Sequence, residues 1–142
     1  TYTLEQFHFH EPSEHRRNGA GRAMELHFVH ADEAGTLAVV GVLLRQAHGR
    51  PNPTIQRLWK RVPEEPRKRA KIKLRPSLLL PADRGYYRYD GSLTTPPCTE
   101  GVRWHVLRGE ITVSPAQVAA YRHPDSARAV QPLNGRTVRV SR

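Results

Sequence analysis

The sequence predicts a mainly β fold in a single domain, and three observations carry that expectation. Six segments are β-branched, aromatic or alternating in polarity, and each is bounded by Gly, Pro, Asn or Asp. Only two short stretches continue with helical spacing. The length of 142 residues suits one domain with one core, and a domain of that size buries about two thirds of the surface its unfolded chain exposes.

Residues 2–11 form the first expected strand. Successive side chains of an extended chain point to opposite faces, so within "QFHFHEPSEH" Phe7 and Phe9 enter a core while His8 and His10 converge on the other side. Residues 24–31 form the second strand, after a loop containing "NGAG"; Glu25, His27 and Val29 share one face, Leu26 and Phe28 the other. Residues 36–45 form the third. Pro53 behind Asn52 then opens a short helix through "TIQRLWKR", because proline suits the first helical position and asparagine caps it. Residues 46–53 and 60–85 are too rich in proline for central strands and are expected as surface connections. Residues 86–90 and 102–113 are further strands, the latter setting Val102 and Trp104 on one face. Pro115 behind Ser114 opens a second short helix through "AQVAAYR", and residues 137–141 form the last strand.

Charge offers a second functional class. The 23 Lys and Arg against 13 Asp and Glu give a formal net charge of +10, densest in "KRVPEEPRKRAKIKLRP" at residues 60–76. That stretch has no interleaved aromatic residues for base stacking and no recognisable nucleic-acid module, so it reads as a solvated loop. A basic nucleic-acid-binding protein remains the lesser alternative. No apolar run approaches the ~18 residues that cross a bilayer, and no membrane partner is expected. The chain starts at Thr1 without an initiator Met or a signal-type segment, so any targeting segment is expected to be absent or cleaved.

The histidines carry the chemistry. Taken alone, His8 and His10 read first as half-exposed residues of an ordinary surface strand, and a third ligand is what changes that reading. A hairpin that sets His27 opposite them would bring three imidazoles together from two neighbouring strands. Three neutral imidazoles suit Zn²⁺ and leave a fourth tetrahedral position open, the mark of a catalytic site.

In order and approximate spacing, "QFHFHEPSEH", "MELHFVH", "LAVVGVLL", "GSLTTPPCTEGVRW" and "QPLNGRTV" resemble the alpha class of carbonic anhydrases, the first motif its bacterial branch. Together they span nearly all of the chain. The resemblance implies a single catalytic domain over residues 1–142, built on a large, mostly antiparallel twisted central sheet with a few short surface helices. It implies a zinc lyase, a carbonate dehydratase, that hydrates CO₂ reversibly to bicarbonate and a proton. Carbonic anhydrase is itself the standard example of a three-histidine zinc site, so this agreement is not independent of the ligand reading.

By this resemblance His8, His10 and His27 are the zinc ligands, and Gln6 and Glu25 are the outer partners that fix the tautomers of His8 and His27. Thr94 and Glu14 match the pair that orients the nucleophile: a hydroxyl accepts a proton best when its own hydrogen is committed to an ionised carboxylate. Thr95 matches a second threonine beside the substrate. Val29, Val39, Leu93, Val102 and Trp104 match the apolar wall that CO₂ needs, although any one of them reads equally as core packing. His15 resembles a buried structural histidine. His30, His48, His105 and His123 match no role.

The resemblance also implies what is missing. The family's catalytic domain is longer, and its N-terminal portion carries packing strands and, in many members, the histidine that shuttles protons; neither is in this sequence. Cys98 matches a cysteine that commonly pairs with one near the family's N-terminus, which implies a disulfide outside this chain and a periplasmic or secreted protein. The partners expected are the small molecules CO₂ and bicarbonate, neither nucleic acid nor membrane, with homodimerisation left open. A relative that has lost its metal and serves as a binding module is the second reading.

Overall fold

The computed structural model describes residues 1–141. Six strands form one sheet: β1 (Thr3–His10), β2 (Met24–Ala31), β3 (Leu37–Gln46), β4 (Tyr86–Ser92), β5 (Glu100–Val113) and β6 (Arg139–Val140). Their spatial order is β1-β2-β3-β5-β4-β6. All neighbours are antiparallel except β3 and β5, which run parallel, with Val39 opposite Trp104. A parallel pair needs a long crossover. Here the crossover holds the helix α1 (Pro53–Trp59), a 3₁₀ turn (Pro76–Leu79) and β4 itself.

Both helices begin where the proline-after-cap pattern places them. The Asn52 side chain accepts hydrogen bonds from the backbone N–H groups of Thr54 and Ile55. Ser114 and Gln117 form a reciprocal capping box at α2 (Pro115–Ala119). Gln117 is buried and also donates to the Asn52 carbonyl at 2.8 Å, so one side chain ties the two helix starts together.

Alternation sorts the strands onto two faces. One face packs Phe9, Leu26, Phe28, Val42 and Leu44 against Ile55 and Leu58 of α1 and forms the main core. The other carries a smaller apolar cluster of Val29, Val39, Val102, Trp104 and Val106 beside the histidines. The expectation that residues 60–85 lie wholly on the surface is corrected in one place. Leu79 is fully buried in the main core, and Ile72, Leu74 and Leu80 pack against it. Pro76 opens a single turn there, which lets a leucine drop inward from an otherwise exposed connection.

Candidate metal centre

Strand register assembles the three histidines. Alternation puts His8 and His10 on one face of β1, and the β1–β2 pairing sets His27 directly opposite His8. One nitrogen from each ring lies within 4.8 Å of the other two. His10 and His27 are buried and His8 is half-buried.

Each imidazole is held from behind by one acceptor. His8 Nδ1 bonds Gln6 Oε1 at 2.7 Å, His27 Nε2 bonds Glu25 Oε1 at 2.9 Å, and His10 Nδ1 bonds the Ser126 carbonyl at 2.8 Å. Carbonyl and carboxylate oxygens are acceptors, so the ring nitrogen facing each one must carry the hydrogen, and these contacts fix the protonated nitrogens. His8 Nε2, His10 Nε2 and His27 Nδ1 are left as lone-pair nitrogens. His10 Nε2 is buried without any hydrogen-bond partner. Burial first, then the neighbouring charges of His27, His10 and Arg69, pushes the pKa of His8 down to about 2. Burial and His27 likewise lower that of His10. A neutral three-imidazole donor set with an orphaned buried nitrogen fits a divalent ion such as Zn²⁺.

Glu25 is the hub behind His27. Its Oε1 also takes His15 Nδ1 at 2.5 Å, and its Oε2 accepts the backbone N–H groups of Glu14 and His15 at 2.9 and 2.8 Å. Burial alone would raise its pKa, but the charges and hydrogen bonds of His27 and His15 outweigh that and hold the carboxyl well below its ordinary value. The other ring nitrogen of His15 meets the Tyr89 hydroxyl at 2.5 Å. Gly41 lies opposite His27 on β3, where a Cβ would stand 3.0 Å from Glu25 Oε1. A larger residue there would press on the hub.

A cavity of about 380 Å³ opens on His8 and His27. His8, His27 and Gln6 form its polar floor, Val29, Val39, Leu93 and Trp104 an apolar wall, and Thr94 and Thr95 one edge. Trp104 is fixed by donating Nε1–H to the Ser92 carbonyl at 2.9 Å and by packing its ring 4.8 Å from that of His27. Val102 is buried in the same apolar cluster but does not reach the cavity.

Glu14 is nearly buried, and its Oε1 accepts the Arg128 backbone N–H at 2.7 Å. Its Oε2 is buried and unpartnered, so Thr94 and Glu14 are not hydrogen-bonded. Both line a second, larger cavity of about 880 Å³. His30, His48, His105 and His123 line neither cavity. Cys98 is a free, half-buried thiol at a positive φ of 57°.

Three supporting residues escaped the sequence reading. Ser126 serves His10 through its backbone carbonyl and also accepts the Glu11 N–H on Oγ at 3.2 Å. A main-chain acceptor carries no residue-type signature. Arg128 likewise acts through its backbone. Gly41 was the one with a visible signal, a lone glycine inside the apolar run "LAVVGVLL", which marks a close approach.

A mixed sheet that converges three histidines, two of them lining a cavity, defines a candidate metalloprotein, and the comparisons with known proteins give its family. The family model of eukaryotic-type carbonic anhydrases matches residues 1–142, and the chain belongs to that family. It is 47% identical over 142 residues to a carbonic anhydrase of Klebsiella pneumoniae, covering 96% of this chain and 57% of that protein. It is 45% identical over 142 residues to a carbonic anhydrase of Nostoc sp., covering 96% of this chain and 53% of that protein. The alpha-carbonic anhydrase of Thermovibrio ammonificans, solved with the inhibitor sulfanilamide, superposes with a TM-score of 0.87 at 46% identity, over 96% of this chain and 62% of that one. The chain thus spans little more than half the length of the curated relatives it matches.

Proposed function

We propose that this chain supplies the metal-binding and substrate-binding part of a zinc enzyme for the reversible hydration of CO₂ to bicarbonate and a proton. One observation carries the reading: three imidazoles converge with their outer nitrogens already committed to Gln6, Ser126 and Glu25. In this reading His8, His10 and His27 hold the ion, and the three acceptors keep each ring in the ligating tautomer. Bound zinc would supply the Lewis acidity that makes water a usable nucleophile near neutral pH.

The remaining steps fall to side chains. CO₂ carries no charge or net dipole, so Val29, Val39, Leu93 and Trp104 hold it by excluding water beside the polar floor. Thr94 turns its hydroxyl oxygen toward the nucleophile and accepts a hydrogen bond from it, which sets the direction of attack. The Thr94 hydrogen then needs an acceptor, and Glu14 Oε2 has a free lone pair for it. Thr95 borders the space where bicarbonate forms.

Metal analysis after exhaustive dialysis, paired with stopped-flow CO₂ hydration, tests the reading. About one zinc per chain and measurable hydration are expected. Full zinc occupancy in His10→Ala would overturn the ligand assignment, and a nucleic-acid binder would show no requirement for zinc.

We further propose that the intact gene product is exported, with Cys98 paired to a cysteine outside these residues. The support is a single cysteine in the chain, held half-buried on the loop beside Thr94 and Thr95. Non-reducing peptide mapping of the full-length protein should recover Cys98 in a disulfide; a free thiol there would count against export.

A further inference from the structure

The wall of the smaller cavity suits neutral CO₂, yet the reaction makes an anion. Among the residues lining that cavity one is cationic, Arg69. It lies on the connection between α1 and the Pro76–Leu79 turn, is exposed to solvent, and shares the lining with Gln6, His8 and Thr95. Arg17, Arg22, Arg45, Arg108 and Arg122 are all engaged with carboxylates. Arg69, among the described residues, pairs with none and makes no hydrogen bond. Glu5 is on the same lining but does not pair with it. An unengaged guanidinium at the edge of a site is a ready anion receptor, because its planar fork of N–H donors matches two oxygens of a carboxylate-like group.

We propose that Arg69 forms an anion seat at the cavity edge that receives bicarbonate, drawing it toward Thr95 and His8. The identity of the anion rests on the hydration reading of the preceding subsection; the seat itself does not. Glu5 opposes it, so the seat is selective by balance: one donor fork attracts the anion and one carboxylate limits how tightly it stays. Neutral CO₂ feels neither.

Kinetics in one direction cannot isolate such a residue. The overall equilibrium fixes the ratio of the kcat/KM values for hydration and dehydration, so a substitution moves both by the same factor. Equilibrium binding isolates it. Calorimetric titration with sodium bicarbonate at constant ionic strength, on zinc-loaded and zinc-free chain, should show Arg69→Gln weakening affinity about threefold to fivefold in both forms, the scale of a solvent-exposed charge pair. Glu5→Gln should tighten it. Arg50→Gln removes an equal charge at an exposed position outside both cavities and should change nothing. Equal affinities for the parent chain and Arg69→Gln, a loss matched by Arg50→Gln, or no measurable bicarbonate binding in either form would overturn the seat. An Arg69-dependent affinity in a chain that hydrates no CO₂ would instead sustain the seat and overturn the hydration reading.

Discussion

His8 faces His27 directly across the antiparallel β1–β2 pair, with ring centroids 5.2 Å apart. A slip of one residue in that register would turn every side chain of β1 to the opposite face relative to β2 and set an apolar side chain against each imidazole. The candidate metal centre is therefore a consequence of strand pairing. Phe7 opposite Phe28 and Phe9 opposite Leu26, packed in or against the main core, hold the register that the histidines need.

Glu25 should govern how tightly the ion is held. Glu25→Ala removes the acceptor behind His27 and leaves His15 Nδ1 without its acceptor, so zinc affinity should fall about 10- to 100-fold while the fold persists. Competition against a chromophoric chelator measures it. Unchanged affinity would remove Glu25 from the orientation of His27.

Thr94→Ala should leave zinc in place and lower kcat/KM for CO₂ by roughly 10²-fold, a loss of about 2.7 kcal/mol of transition-state stabilisation. Glu14→Gln should follow it, since a neutral amide is a poorer acceptor for the Thr94 hydrogen. The double variant should then be no worse than either single one. Additive losses in stopped-flow assays would show that the two act separately.

Gly41→Ala tests the packing behind the hub. The added methyl would meet Glu25 Oε1 at 3.0 Å, and that oxygen is tethered to both His15 and His27. It has little freedom to retreat. A cost of about 1–3 kcal/mol, read from the urea midpoint, is expected, together with weaker zinc binding. A stability gain would mean that the carboxylate moves aside freely.

Turnover should depend on buffer. In the proposed hydration each cycle releases a proton, and none of His30, His48, His105 and His123 lines the cavity to carry it away. The maximal hydration rate should rise with the concentration of an imidazole-type buffer while kcat/KM stays nearly constant, because kcat includes proton export and kcat/KM ends at bicarbonate release. A maximal rate independent of buffer would reveal a proton-carrying residue within the chain.

Much of this molecule was legible one strand at a time. Alternation with a period of two is a local property of the chain, so it separated Phe7 and Phe9 from His8 and His10 and put Glu25 beside His27 on one face. The caps at Asn52 and Ser114 were equally local, each set by a proline and a side chain within a few residues. The ligand trio needed one further assumption, that β1 and β2 pair as a hairpin in the register now seen.

What tertiary structure alone decided is whatever depends on groups distant in sequence or on the main chain. The acceptor for His10 is a carbonyl 116 residues away, and any residue type offers a carbonyl. Glu14 finds its Arg128 partner across 114 residues, again through a backbone N–H. Leu79 entered the core and Arg69 reached the cavity from a connection whose composition reads as solvated, because the path of a loop is set by what it packs against and not by its own periodicity. Strand faces follow from the repeat of the chain; the contacts that orient the imidazoles follow from where the rest of the chain comes to lie.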